Sequence, residues 1–332
     1  MSRVGHGNPI CRLRWIAKSL GRARRVPATP GRDPLVIGHR GAPRVAAENT
    51  IPSFRAAIEA GADAVETDVC VTRDGQFVLW HDARPSETVA VARQTGREGL
   101  AYEPDVPHLA SPSRRPVSRL DWNVFRRHYG YTLRRSGPRE IAAMADGRPQ
   151  VSVATIEELF TWVAQEPRLR AVLLDVKLSG RQVPAARELL RRAAEFGARP
   201  GGRPVPFFYL SQHVEVLRAL LPSAGRSDGA GVSVCGDFER PCALAFAKRL
   251  GLSRVSMGNG QRIWRGFRQE LSEVVAARQR GRLESVLAWT FNDRKQLEEL
   301  VAMGVDGILT DDPALLRSLV GRRSGQGDPT RR

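Results

Sequence analysis

Lysine is nearly absent from this chain of 332 residues: of 52 basic side chains only four are lysine, Lys18, Lys177, Lys248 and Lys295. The rest is arginine, the skew expected of a GC-rich coding sequence, and it is scattered along the chain. No basic stripe with interleaved aromatics and no nucleic-acid motif accompanies it, so the formal net charge of +17 does not predict a nucleic-acid partner. Cysteine is also sparse. Cys11, Cys70, Cys235 and Cys242 have neither C-x-x-C nor zinc-ligand spacing, which excludes the usual cysteine-held metal and dithiol centres. Two of them fall in apolar strand-like runs, where a buried structural thiol belongs, and a reducing, cytoplasmic location is expected. No run approaches the about 20 apolar residues that a membrane span requires.

What is present is a large core with an alternating rhythm. Hydrophobic residues make up 42% of the chain, enough to exclude global disorder. Strands are predicted over 35–38, 64–69, 171–176, 206–210, 231–235, 254–257, 286–289 and 307–309. Amphipathic helices are predicted over 51–60, 156–164, 183–196, 213–220, 241–250, 267–280, 294–302 and 313–320. Eight strands, each followed by a helix, predict an α/β fold of the (β/α)8 TIM-barrel type across 34–320. Thr50, the Thr155-x-x-Glu158 box, Asn292 and Asp311 are read as helix caps. An extra strand is predicted over 76–81. Residues 83–150 then lack sustained periodicity, and a structureless loop of that length is uncommon within a domain. An inserted lid or small subdomain after the second barrel strand is the expectation, with most of its aromatics, Tyr102, Trp122, Phe125, Tyr129 and Tyr131, packing its own core. Residues 1–33 and 321–332 read as tails. The first is basic, and a short amphipathic helix there would allow peripheral contact with an anionic membrane surface. Its Arg24-Arg25 pair lacks the hydrophobic stretch of an export signal.

The chemistry-bearing residues gather at predicted strand ends, where barrels place their sites. Side chains two apart on a strand share a face, so Glu66 and Asp68 point together into the barrel mouth, as do Asp175 and Lys177. Three converging carboxylates repel one another unless a cation neutralises them, and a hard oxygen-liganded ion, Mg2+ or Ca2+, fits that need. For one acidic pair alone a salt bridge to an arginine serves as well; the third carboxylate shifts the balance to metal. Lys177 offers a point charge to a phosphoryl oxygen, and Arg40, on a turn that Gly41 opens, offers a second. His39 and His81 then stand where an acid and a base are wanted near neutral pH.

The segments His39-Arg40-Gly41, Glu48-Asn49-Thr50, Glu66-x-Asp68, Thr72-x-Asp74-Gly75 and His81-Asp82 resemble the glycerophosphodiester phosphodiesterase family. Trp289-Thr290-x-Asn292 and Gly304-Val305-Asp306-Gly307 with Thr310-Asp311-x-Pro313 extend the resemblance over roughly Val36–Leu316, apart from the insertion. The ordered set is far more specific than any one tripeptide. It implies a TIM barrel that hydrolyses glycerophosphodiesters to sn-glycerol 3-phosphate and an alcohol. A divalent ion would be held by Glu66, Asp68 and Asp175. His39 (base) and His81 (acid) would be catalytic, with Arg40 and Lys177 on the phosphate. Glu48 would orient its neighbours or a substrate hydroxyl, and Trp289 would pack beside the alcohol portion. Many members carry Glu-x-Lys where this chain has Asp175-Val176-Lys177. Sphingomyelinase D-type enzymes share the Asp-x-Lys form, which keeps open a phospholipase D-like activity on lysophospholipid or sphingolipid head groups. A barrel that binds phosphoesters without turning them over is the reading from another class; the intact histidines, carboxylates and Lys177 weigh against it.

Overall fold

The computed structural model describes residues 33–96, 98–134, 149–197, 205–221, 232–239, 242–258 and 264–324. Almost all of the two tails expected from the sequence lies outside these residues. Twelve strands run in chain order: β1 (Leu35–Gly38), β2 (Ala64–Val71), β3 (Phe77–Leu79), β4 (Tyr102–Asp105), β5 (Gly130–Leu133), β6 (Val151–Ser152), β7 (Ala171–Val176), β8 (Phe207–Ser211), β9 (Val232–Phe238), β10 (Arg254–Gly258), β11 (Ser285–Trp289) and β12 (Gly307–Thr310). Strands β1, β2 and β7 to β12 pair in parallel, and the β1–β2 pairing closes them into an eight-stranded barrel. Strand β3 adds to β2 in the antiparallel sense, as the extra strand predicted there.

The helices are α1 (Ile51–Glu59), α2 (Thr88–Arg93), α3 (Trp122–His128), α4 (Ile156–Gln165), α5 (Val183–Gly197), α6 (Val214–Leu220), α7 (Ala243–Leu250), α8 (Trp264–Gln279), α9 (Arg294–Met303) and α10 (Pro313–Ser324). Helices α2 and α3 lie in the insertion, α4 comes directly after it, and each of the other helices follows a barrel strand. Outward strand residues such as Val65, Val172 and Val286 pack against helix residues such as Phe54, Leu189 and Leu271 in the main core. A second, inner cluster fills the barrel with Ile37, Ala64, Leu173, Leu210, Cys235, Leu287 and Leu309. Strands buried on both faces carry apolar runs, and this is why the strands were legible as short hydrophobic blocks.

Two of the expected caps hold and two are displaced by one residue. The Thr50 hydroxyl accepts the Ser53 amide, and Thr155 forms a capping box with Glu158. Asn292 and Asp311, however, do not cap. Asp293 accepts from Gln296 at the start of α9, and Asp312 accepts from the Leu315 amide at the start of α10. Asn292 and Asp311 lie nearer the strand ends, and their side chains bond to each other.

The insertion folds on a sheet of its own. Strands β4, β5 and β6 pair antiparallel beside α2 and α3. Its core is aromatic: Tyr102, Phe125, Tyr129 and Tyr131 surround Trp80, with Cys70 and Val78 of the barrel contributing from below. Trp122, partly buried, stacks on Phe125. The insertion is therefore seated on the extension of β2 and β3. Among the described residues, no helix is long and apolar enough to cross a membrane.

Candidate active site

Every residue singled out from the sequence lies at the C-terminal mouth of the barrel or in the loops above it. Ile37 and Ala64 belong to the inner cluster, so His39, Glu66 and Asp68, at even steps along the same strands, also face inward. Glu66 pairs in register with inward-facing Leu173, and Asp68 with Asp175. The turn after β1 is shaped for contact with them. Arg40 takes φ +53° and Gly41 φ +89°, and a Cβ on Gly41 would stand 2.5 Å from Ser53 Oγ. Only glycine fits there without strain. The turn aims the Arg40 amide at Glu66 Oε2, 2.9 Å away.

Glu66, Asp68 and Asp175 bring ligand atoms within 4.8 Å of one another. Their charge is only partly offset. Lys177 Nζ lies 3.1 Å from Asp68 Oδ1 and 2.5 Å from Asp175 Oδ2, and Arg40 Nε lies 3.1 Å from Asp68 Oδ2. Burial would raise Asp68, but Lys177 and Arg40 hold it well below the ordinary carboxylate range. Glu66 goes the other way: burial, then Asp68 and Asp175, push it well above that range. An anionic oxygen cluster with one carboxylate left uncompensated suits a hard divalent ion. The aspartate at position 175, one methylene shorter than glutamate, still reaches the cluster.

Each histidine has its own carboxylate. His39 Nδ1 is 2.7 Å from Asp311 Oδ1. Asp311 is fixed in turn by Asn292, whose Nδ2 donates to Oδ2 at 2.5 Å while its Oδ1 accepts the Asp311 amide. Against burial, His39 and Asn292 bring Asp311 down to about 2. His81 Nδ1 lies 2.7 Å from Asp82 Oδ1 and 2.9 Å from an Arg93 nitrogen. Burial and the Arg40 and Arg93 charges depress His81 to about 4, so it is neutral in the free site.

Arg93, not singled out from the sequence, is brought by the fold to the carboxylates beside His81. It is the last residue of α2 in the insertion, buried, and its guanidinium bonds Glu48 and Asp82. Glu48 receives Arg40 on its other oxygen at 2.9 Å and the Tyr102 hydroxyl at 3.4 Å. Glu48 thus links Arg40 to the insertion. No motif marks Arg93, one arginine among dozens; an acidic neighbour such as Glu98 is too common to single it out. Asn49 was quoted only as part of a motif. Its side chain donates to Asp68 Oδ2 and accepts the Asp68 amide and the Thr67 hydroxyl, so it sets the rotamer of a carboxylate.

Trp289 stands at the end of β11, and Asp237 lies two strands away on β9. Burial and the Asp175 carboxylate push Asp237 up to about 8. Sequence reading ended this strand at Cys235, three residues short, and so left Asp237 outside the site. Beyond His81 and Lys177 the mouth opens into a cleft of about 550 Å³ between the insertion (Ala83, Arg84, Arg119) and the loops after β7 and β8 (Arg181, His213). That volume lies within the range of small-molecule sites.

Comparison with known proteins agrees with this geometry. Two models described as the glycerophosphoryl diester phosphodiesterase family match residues 39–196 and 285–314, together more than half of the chain. A glycerophosphodiester phosphodiesterase of Caldanaerobacter subterraneus subsp. tengcongensis is 27% identical over 292 residues, covering 88% of this chain and 99% of that one. A crystal structure of a glycerophosphodiester phosphodiesterase from Parabacteroides distasonis shares the fold, with a TM-score of 0.61 at 17% identity over 89% of this chain and all of that one. A phosphodiesterase of Oleispira antarctica, solved in complex with the product sn-glycerol 3-phosphate, does so with a TM-score of 0.59 at 17% identity, over 87% of this chain and 97% of that one. With the ordered motifs and the closed barrel that carries them, the chain belongs to the glycerophosphodiester phosphodiesterase family.

Proposed function

We propose that this chain is a divalent-cation-dependent phosphoric diester hydrolase that cleaves glycerophosphodiesters to sn-glycerol 3-phosphate and an alcohol. The observation that carries the reading is the convergence of Glu66, Asp68 and Asp175 with Lys177 and Arg40 between two histidines, each backed by its own carboxylate. The relative named for this activity and the product complex of the Oleispira enzyme support the substrate class.

Mg2+ or Ca2+ held by the three carboxylates would offset charge on the phosphoryl oxygens as the transition state forms. Lys177 and Arg40 hold the same oxygens from the protein side. His39, whose Nδ1–H donates to the Asp311 carboxylate, presents Nε2 as the base toward water or a neighbouring substrate hydroxyl. His81 serves the oxygen of the departing alcohol, which leaves into the cleft beside it. After burial, the Arg40 charge is the next cause that depresses His81, and a bound diester anion facing Arg40 would act against it. The oxygen that His39 deprotonates bonds to phosphorus as the phosphorus–oxygen bond to the alcohol breaks, and the departing oxygen takes the proton from His81. Where the substrate hydroxyl is the attacking group, water then opens the cyclic phosphate. In both cases the phosphate stays with glycerol.

The test is release of sn-glycerol 3-phosphate from glycerophosphocholine by the purified protein. Chelation by EDTA is expected to abolish it and added Mg2+ or Ca2+ to restore it. Turnover indifferent to chelation would refute the metal, and turnover of lysophosphatidylcholine alone would move the substrate class to a phospholipase D-like activity.

A further inference from the structure

His81 and Asp82 follow β3 at the edge of the cleft, and the Asp82 carboxylate is held through one oxygen only. Among the described residues two side chains bond it, both at Oδ1: His81 Nδ1 at 2.7 Å and Arg93 Nη1 at 3.0 Å. Its Oδ2 is buried without a hydrogen-bond partner. The last torsion of an aspartate is soft, so a carboxylate bonded at a single oxygen takes its orientation from the donors gathered there. The donor besides the histidine is Arg93, and the carboxylate it orients is the one that orients the imidazole. Arg93 Nη1 also lies 2.9 Å from His81 Nδ1 itself. With Nδ1 protonated, ring and guanidinium share Asp82 Oδ1; with Nδ1 bare, the guanidinium can donate to it. The ring is tethered in either form.

Arg93 is no free surface arm. It is 4% exposed, its Nη2 bonds buried Glu48, and its Nε lies 3.2 Å from Glu98 Oε1. The chain just beyond it is braced as well. Gln94 Nε2 donates to the Pro85 carbonyl at 2.9 Å, and Arg114 Nη2 donates to that carbonyl at 2.6 Å and to Gln94 Oε1 at 2.7 Å. The same helix, α2, faces the cleft, where Val89 and Ala90 line the wall together with His81. One element of the insertion thus borders the space for the departing alcohol and fixes the group that protonates it.

We propose that Arg93 is a positioning residue for proton delivery: carried in by the insertion, it fixes Asp82 and so aims His81 at the departing oxygen. The inference rests on the role given to His81 in the function proposed above. Its test compares glycerophosphocholine with the diester in which 4-nitrophenol replaces choline, since a nitrophenolate leaves without a proton. In Arg93→Met, kcat on the choline diester is expected to fall about tenfold to a hundredfold further than on the nitrophenyl diester, the size of loss that follows a misplaced catalytic group. Arg93→Lys, which keeps a charge but not the fork, should fall between. The ratio of two rates from one preparation does not depend on its folded fraction, so a destabilised variant still reports. An equal loss on both alcohols, the result if Arg93 acts only through Glu48 and Arg40, overturns the assignment, as does no loss. Should the native protein cleave neither diester, the proposed function falls. The positioning is then read from the ring nitrogen NMR signals of His81, identified by their absence in His81→Ala. They are expected to move in Arg93→Lys, and unmoved signals overturn the positioning.

Discussion

His39 and His81 differ in what surrounds them, and the difference predicts separable phenotypes. His39 Nδ1 rests on the Asp311 carboxylate, whereas His81 lies between Asp82 and two arginines. Alanine at either position is expected to lower kcat on glycerophosphocholine at least about a hundredfold. With 4-nitrophenol as the alcohol, the leaving oxygen needs no proton. His81→Ala should then recover most of its loss while His39→Ala does not. Recovery by His39→Ala alone would exchange the two roles. Both outcomes are read from steady-state rates on the two substrates.

At the scale of elements, the insertion and the barrel share one polar joint. Arg93 of α2 holds Glu48, Asp82 and Glu98, and the first two are buried carboxylates of the barrel side. Removing one partner of such a buried set leaves the others uncompensated, at about 3–5 kcal/mol. Arg93→Met is therefore expected to lower unfolding free energy by about that amount in denaturant titrations. Arg93→Lys should fall between, keeping the charge and losing the fork. Because Glu48 also holds Arg40, KM should rise in the same variants. A stable Arg93→Met protein with normal KM would show that the lid does not depend on this joint.

Across the whole molecule, many arginines form exposed ion pairs along helices, such as Arg191 with Glu188 and Glu195. Exposed pairs of this kind contribute little to stability. The paired carboxylates near the mouth contribute more. Burial alone would raise Asp82 and Asp311, but Asp82 is brought to about 2 by His81 and Arg93, and Asp311 to about 2 by His39 and Asn292, against an ordinary 3.8. A depressed carboxylate stabilises the fold fully above its unfolded pKa and loses that contribution as pH falls through its folded one. Stability should thus fall between about pH 4 and about pH 2, by up to about 2 kcal/mol for each group. Thermal unfolding across that window should show a shallower slope for Asp311→Asn than for the native protein. Parallel curves would assign the acid sensitivity elsewhere.

The alternation of strands and helices was legible because each parallel strand is buried on both faces and reads as an apolar block. Glu66-x-Asp68 and Asp175-x-Lys177 were legible because strand geometry has a period of two, which needs no partner to be known. The sequence by itself therefore determined the barrel, the acidic cluster and the two histidines near it. It did not determine which caps go to helices and which to the site: Asn292 and Asp311 look like caps until the end of β12 comes beside the loop after β11. Nor did it mark Arg93 or Asp237. Arg93 matters because an insertion with its own aromatic core delivers it to Glu48. Asp237 reaches the mouth because β9 runs to Phe238 and pairs it in register with Ser256 of β10. Such roles depend on which side chains meet across long separations, and only the closed barrel decides that.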